Sequence, residues 1–111
     1  MNKYRNKKVI YNGITFDSIK EKNRYIELKL LERAGVIKDL KLQYEFELQP
    51  KYVNNKGEHI RNIKYKADFF YYDKQRKIYI IEDTKGFKTD VYKLKKKILE
   101  YVYPNLTIEE L

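Results

Sequence analysis

The chain has 111 residues, of which 25 are Lys or Arg, 16 are Asp or Glu and one is His, so its formal net charge is +9. This length fits one domain, and 42% hydrophobic residues are enough for a single core. The lack of Cys excludes disulfide scaffolds, zinc ribbons and thiol nucleophiles, and the single His excludes multi-histidine metal sites. A small domain this basic is expected to bind a polyanion, most commonly nucleic acid.

We interpret residues 1–111 as one domain that begins with a flexible basic arm, Met1–Lys8. The arm lacks the apolar segment of a signal peptide, and no stretch of the chain approaches the ~18 apolar residues of a membrane span. We therefore expect a cytoplasmic protein with no membrane partner.

The first elements along the chain are a hairpin and a helix. Asn12-Gly13, a favoured dipeptide of two-residue turns, interrupts a short apolar stretch at Val9–Phe16. Apolar residues then recur at helical spacing and stop at Gly35, which is typical of the residue that follows a helix. The pattern predicts a helix over residues 18–34.

A change of period from helical to alternating marks the next part of the chain. Apolar residues at every second position predict three strands, over residues 40–50, 60–72 and 77–84. Turn-forming residues separate these strands at Asn54–Gly57 and Asp73–Arg76. The short second turn predicts that the last two strands pair with each other.

A second helix and a short strand complete the chain. The helix is predicted over residues 89–102, with Leu94, Ile98 and Tyr101 as its buried stripe. Leu106–Ile108 is predicted as a closing strand. The order of N-terminal helix, three-strand meander, helix and short final strand predicts a mixed α/β (α+β) fold.

Acidic residues lie at the ends of two predicted strands. Glu82 and Asp83 end an otherwise apolar strand, and alternation places Asp83 on the same face as Lys85. Asp68 interrupts an aromatic run on the preceding strand, and counting outward from the turn places it within about one residue of the height of Asp83. Two carboxylates beside a Lys indicate a Mg²⁺ site. The alternative is an exposed Asp83–Lys85 ion pair, with Asp68 facing solvent at a bulge.

Glu21 is a third acidic candidate, on the first helix. Ser18 and Glu21 fit a capping box, which gives Glu21 a purely structural role. Glu21 also lies at the border of the apolar stripe, so a helix packed on the sheet would direct it towards the other acids. Glu27 is a rival on the same helix.

Three short motifs resemble those of the PD-(D/E)XK nucleases: Ser18-x-x-Glu21, Ala67-Asp68-Phe69 and Asp83-x-Lys85-Gly86. Within that superfamily the chain is most similar to small phage proteins of a domain-of-unknown-function family. That family is related to endonuclease I-type Holliday-junction resolvases and to endonuclease subunits of heteromeric transposases. The resemblance covers nearly the whole chain and implies a restriction-endonuclease-like core and a phage or prophage origin.

The resemblance also implies a role for each residue of the site. Asp68 and Asp83 would bind the metal, and the main-chain carbonyl of Thr84 would be a further ligand. Lys85 would orient the attacking water or help to deprotonate it, and Glu21 would complete a second metal or water site.

Two departures from the family pattern matter. Ala67 replaces the Pro of the first motif. Glu82, next to Asp83, leaves open which acid is used, because a bulge near the strand end would exchange their faces.

The implied activity is metal-dependent hydrolysis of DNA phosphodiester bonds by a homodimeric endonuclease, with Mg²⁺ as cofactor and Mn²⁺ as its substitute. The implied substrate is branched or double-stranded DNA, such as a Holliday junction. This chemistry requires neither Cys nor His. The alternative function is a non-catalytic, nucleic-acid-binding phage accessory protein in which the acids are structural.

Basic residues on the second helix and in the arm are candidate phosphate contacts, which bind without reading sequence. Lys93, Lys96 and Lys97 recur at helical spacing, and Arg5 and Lys7 lie in the arm. A solvated helix face and a solubilising tail are the alternatives. The 12 Tyr residues either offer stacking platforms for bases or pack the core and cover the sheet.

Overall fold

The computed structural model of the protein describes residues 7–84 and 87–111. Within these residues it contains two helices and eight strands. In chain order they are β1 (Val9–Tyr11), β2 (Ile14–Phe16), α1 (Ile19–Arg33), β3 (Ile37–Gln49), β4 (Tyr52–Val53), β5 (His59–Ile60), β6 (Ile63–Asp73), β7 (Ile78–Asp83), α2 (Asp90–Val102) and β8 (Leu106–Glu110). No helix in this part of the chain has the length and apolarity needed to cross a membrane.

Four of the strands form a mixed central sheet in the order β3-β6-β7-β8. β3, β6 and β7 are antiparallel neighbours, which confirms the predicted meander, whereas β8 pairs with β7 in parallel. A parallel return requires a crossover connection, and α2 lies within it. The predicted mixed α/β fold class is therefore confirmed. The pairs β1-β2 and β4-β5 form two further small sheets.

The central sheet separates two hydrophobic clusters that lie on opposite faces. One cluster joins the sheet to α1 and the β1-β2 hairpin, and the other joins it to α2. Adjacent residues of β7 divide between them, since Ile80 belongs to the first cluster and Ile81 to the second. We call these faces the α1 face and the α2 face of the sheet.

The local signals in the N-terminal part of the chain fold as predicted. Asn12 and Gly13 have φ values of 52° and 76°, as the central residues of a type I′ turn require. The Ser18 hydroxyl oxygen accepts a hydrogen bond from the Glu21 N–H at 3.1 Å and so caps α1. Gly35, with φ of 78°, follows the C-cap of that helix.

Strand boundaries differ from the prediction where the alternation of the sequence is interrupted. β3 begins at Ile37 rather than at residue 40, because a register shift between Lys38 and Lys41 hides the first part of the strand in the pattern. Asp39, with φ of 58°, lies within this irregularity. β8 continues to Glu110, because its parallel pairing with β7 extends that far.

The predicted buried stripe of α2 is wrong. Leu94 and Tyr101 are 57% and 87% exposed, whereas Tyr92 and Leu99 are buried against the sheet. The helix carries apolar residues on more than one face, so periodicity alone does not identify the packed one. Only Ile98 of the predicted stripe packs against the core cluster.

Candidate active site at the end of the central strand pair

Asp68 and Asp83 face each other across the two central strands. The last pair in the register of β6 and β7 is Phe69 with Glu82, and the next residues outward are Asp68 and Asp83. Directly opposed residues of antiparallel strands project to the same face of a sheet. Asp68 is 8% exposed and Asp83 is 1% exposed, so both carboxylates are withdrawn from solvent. The predicted proximity of the two acids is present, and neither faces solvent at a bulge.

Asp68 also fixes the chain that leaves β7. Its Oδ2 accepts hydrogen bonds from the backbone N–H of Thr84 at 2.8 Å and from the Thr84 hydroxyl at 2.9 Å. Thr84 is itself buried. Because both donors belong to one residue, they orient the Asp68 carboxylate relative to the end of β7.

Glu110 adds a third carboxylate to the same end of the sheet. Its backbone position pairs with Asp83 across the parallel strands β7 and β8. The acids of β6, β7 and β8 therefore lie in a row across three neighbouring strands. Sequence reasoning missed Glu110, because the predicted final strand stopped at Ile108.

Tyr92 connects this row to α2. Its hydroxyl donates a hydrogen bond to Glu110 Oε2 at 2.8 Å. Burial raises the pKa of the Tyr92 phenol, and the bond to Glu110 and the negative charges of Asp83 and Asp68 raise it further. The hydrogen bond to Glu110, whose backbone position pairs with Asp83, places the phenol at the end of the row. Sequence reasoning missed Tyr92, which is one of 12 tyrosines and has no motif around it.

Glu82 lies on the opposite face and has a different environment. Arg24 of α1 donates from Nε and Nη2 to the two oxygens of the Glu82 carboxylate, at 2.7 and 2.6 Å. The Tyr71 hydroxyl donates a third hydrogen bond to it. Burial and the bond to Glu82 raise the pKa of Tyr71, and the bond to Glu82 raises the pKa of Arg24. Glu82 therefore lies on the α1 face, whereas Asp83, the next residue of β7, lies on the α2 face.

Glu21 is buried in the first turn of α1, and its Oε1 accepts a hydrogen bond from Gln43 Nε2 at 3.3 Å. In the register of β3 and β6, Gln43 falls opposite Asp68, between two assigned pairs. Gln43 therefore brings Glu21 next to the strand position opposite Asp68, a placement that no sequence signal indicated. Gln43 has φ of 51°, which is an uncommon conformation for a residue within a strand. The rival Glu27 is exposed and lies 3.8 Å from Arg24 Nη1.

Two predicted functional residues, Lys85 and Arg5, lie outside the described residues. Within residues 7–84 and 87–111, no group of three or more His, Cys, Asp or Glu side chains is arranged to hold a metal ion. What the structure brings together is a pair of carboxylates, Asp68 and Asp83. Two hard oxygen donors suit Mg²⁺, which is commonly held by one or two protein carboxylates, waters and substrate phosphates.

The predicted basic residues of α2 divide into two groups. Lys93 and Lys97 are exposed, whereas Lys96 is partly buried and pairs with Glu100 at 3.5 Å. In the arm, Lys7 is exposed. The structure adds a groove beside Tyr92, whose cationic lining residues are Lys66 and Lys95. Sequence reasoning gave Lys66 no role.

The fold and the site define a mixed α/β domain with two opposed, buried carboxylates at one end of its sheet. The chain belongs to the DUF1064 family, described as "Protein of unknown function (DUF1064)", whose model matches residues 1–110. Neither a curated protein nor a solved structure matches the chain. The family carries no stated activity, so the resemblance to the PD-(D/E)XK nucleases stays a prediction.

Proposed function

We propose that this protein is a metal-dependent endodeoxyribonuclease that hydrolyses DNA phosphodiester bonds. The main observation in support is that Asp68 and Asp83 oppose each other, buried, where the pairing of β6 and β7 ends. Glu82, the competing acid, is occupied by Arg24 and Tyr71 on the other face. A pair of opposed carboxylates in a protein with a charge of +9 suits a divalent cation that meets phosphate.

The residues that would hold Mg²⁺ are Asp68 and Asp83, with the main-chain carbonyl of Thr84 as a further ligand. A bound ion would lower the pKa of water and stabilise negative charge on the phosphate. Glu21 would complete the site from α1 through its contact with Gln43. Lys85, two residues after Asp83, would orient the attacking water.

Lys66 and Lys95 would hold the DNA backbone in the groove beside Tyr92, since both line it. Lys93 and Lys97 would extend this contact along the exposed side of α2, and Lys96 would follow if its pair with Glu100 opens. Arg5 and Lys7 of the arm would add further phosphate contacts. These contacts carry no base readout, so the substrate would be selected by shape.

The resemblance favours branched DNA, such as a Holliday junction, as the substrate. A symmetric junction is resolved by paired nicks, for which a two-fold homodimer is suited. The protein would then act in the cytoplasm of a bacterium that hosts a phage or prophage.

One observation favours a second function, which is nucleic-acid binding without catalysis. Thr84 donates two hydrogen bonds to Asp68 Oδ2, so this carboxylate already has a structural role. In this alternative the acids only stabilise the end of β7, and the basic residues alone bind the nucleic acid.

A cleavage assay distinguishes the two functions. Supercoiled, single-stranded, flapped and four-way-junction DNA are incubated with the protein and Mg²⁺, Mn²⁺ or EDTA. The nuclease cuts at least one of these substrates with either metal and none in EDTA. Asp68→Asn and Asp83→Asn should each reduce the cleavage rate by at least ~100-fold, and Lys85→Ala should abolish cleavage.

Asp39→Asn is the matched control, because it removes the same charge from an exposed residue whose φ of 58° Asn also adopts. It should cleave at the wild-type rate. Cleavage at that rate by Asp68→Asn and Asp83→Asn would contradict the proposed site. Tight DNA binding in EDTA, without cleavage in either metal, would establish the alternative.

A further inference from the structure

The α2 face of the sheet carries a run of aromatic rings that extends beyond α2. Neighbouring rings lie 4.9 to 5.6 Å apart, in edge, tilted and stacked arrangements. The members are Tyr44, Phe46, Phe70, Tyr72, Tyr79 and Tyr103. Phe46 is buried near α2, but Tyr44 is 37% exposed and Tyr79 is 44% exposed. The part of the run away from the helix is therefore open to solvent.

Two lysines of β3 border the open part of this run. Lys38 Nζ lies 5.1 Å from the centroid of the Tyr72 ring, and Lys41 Nζ lies 5.3 Å from that of Tyr44. β3 is at the edge of the sheet, so both ammonium groups stand beside the rings at its margin. The surface thus combines flat π-faces with positive charge.

We infer that this surface, the tyrosine platform of Tyr44, Tyr72 and Tyr79 with Lys38 and Lys41, binds single-stranded nucleic acid. Unpaired bases would stack on the exposed tyrosine rings, and the lysines would contact the phosphates. Stacking on aromatic side chains of an open sheet needs bases that are splayed out. Duplex DNA, whose bases are already stacked, would gain only the charge contacts.

Charge argues against a second copy of the chain as the occupant. A symmetric dimer through this face would bring Lys38 and Lys41 of two molecules together, and each molecule carries a net charge of +9. A polyanion with flat rings complements the platform in both charge and shape.

The platform lies on the same face of the sheet as Asp83. Tyr79, Ile81 and Asp83 alternate along β7, which separates the first and last by about 13 Å at the usual rise of a strand. A strand bound at the platform could therefore run towards Asp68 and Asp83. Binding itself needs neither metal nor cleavage, and it goes beyond the nuclease proposal.

Fluorescence anisotropy in EDTA tests the platform, with a labelled oligothymidylate of about 16 nucleotides and a duplex of the same length. The double variant Tyr44→Ala/Tyr79→Ala should bind the single strand at least ~10-fold more weakly than wild type and the duplex within about twofold. Tyr44→Phe/Tyr79→Phe keeps both rings and should bind like wild type. Tyr101→Ala, which truncates an exposed tyrosine of α2, is the matched control.

A second measurement uses the unaltered protein. An oligonucleotide that carries 5-iodouracil should form photocrosslinks to peptides that contain Tyr44 or Tyr79. Crosslinks only elsewhere would overturn the proposal, as would unchanged single-strand affinity in the Ala variant or equal loss for duplex and single strand. A change of oligomeric state in that variant, measured by sedimentation, without a change in DNA binding would assign the platform to self-association. Since all binding is measured in EDTA, failure of cleavage does not affect these outcomes.

Discussion

Glu82 and Asp83 are adjacent, buried carboxylates on one strand, and their side chains lie in different environments on the two faces of the sheet. Glu82, on the α1 face, accepts three hydrogen bonds from a guanidinium and a phenol. Asp83, on the α2 face, lies in a row with two further carboxylates, those of Asp68 and Glu110. The first arrangement surrounds one carboxylate with donors from α1 and the sheet, whereas the second places acids of three neighbouring strands side by side.

This difference separates a contact that specifies the fold from one suited to chemistry. A buried carboxylate with a complete set of donors ties α1 to the sheet in one geometry. Neighbouring carboxylates supply the hard oxygen ligands that a divalent cation takes. We therefore expect substitutions on the α1 face to change stability, and substitutions on the α2 face to change metal-dependent activity.

The largest effect is expected for Arg24→Leu. This change leaves the Glu82 carboxylate buried without its cation, which costs about 3–5 kcal/mol when a buried pair is broken. Chemical denaturation should show that loss in the free energy of unfolding. Arg33→Leu, an exposed site in the last turn of α1, should lose less than about 1 kcal/mol. Equal losses in the two variants would mean that the Glu82 contact does not stabilise the fold.

A matched pair of neighbours tests the comparison directly. Glu82→Gln replaces charge-assisted hydrogen bonds by weaker ones and should destabilise by about 2 kcal/mol. Asp83→Asn keeps the shape of the side chain and removes a negative charge that lies beside the acids of β6 and β8, so its unfolding free energy should stay within about 1 kcal/mol of wild type. Denaturation and cleavage assays on both proteins check this prediction.

We expect each of the two variants to lose one property and keep the other. Glu82→Gln should be the less stable protein and keep its metal-dependent cleavage, whereas Asp83→Asn should keep its stability and lose cleavage. The opposite assignment would exchange the roles given to the two acids.

Tyr71→Phe is expected to have a smaller effect. It removes a single hydrogen bond to the Glu82 carboxylate and should lower the free energy of unfolding by about 1.5 kcal/mol. Tyr79→Phe, which removes a hydroxyl from a partly exposed ring, should change it by less than about 0.5 kcal/mol. A loss of similar size in both variants would show that the Tyr71 hydroxyl has no special contribution.

Features that depend on neighbouring residues in the chain were predictable from the sequence. The Asn12-Gly13 turn and the Ser18 cap require only local geometry, and each is present. The facing of Asp68 and Asp83 was also predictable, because a short turn joins their strands and fixes the register. Most of the fold and the pairing of the two acids could therefore be predicted from local sequence signals and short connections.

Features that depend on packing between distant segments were not predictable. Glu110 reaches the acidic row only because β8 pairs in parallel with β7, a register that no local pattern encodes. Gln43, at an irregular backbone position opposite Asp68, contacts Glu21. The prediction of the buried face of α2 was wrong because Tyr92 and Tyr101 have the same side chain. Only tertiary packing makes one buried and the other exposed.

The smallest predicted effect concerns the alkaline limit of stability. The Tyr92 phenol has an ordinary pKa of 10.0, and burial, the bond to Glu110 and the charges of Asp83 and Asp68 raise this pKa in the folded protein. A group with a raised pKa contributes its full stabilisation below its unfolded pKa and loses it as the pH increases. Wild-type stability should therefore fall above about pH 10, and Tyr92→Phe should fall less steeply, by about 1 kcal/mol per pH unit.

Urea denaturation at several pH values between about 8 and 11 measures these slopes. Tyr71, whose pKa is also raised, stays in the Tyr92→Phe protein, so part of the decline should persist. Tyr101→Phe, at an exposed position, should keep the wild-type slope. Asp83→Asn should keep nearly the wild-type slope in this range, because burial and the bond to Glu110, the larger causes of the raised pKa, remain. Identical slopes for Tyr92→Phe and wild type would show that the phenol does not sense the acidic row.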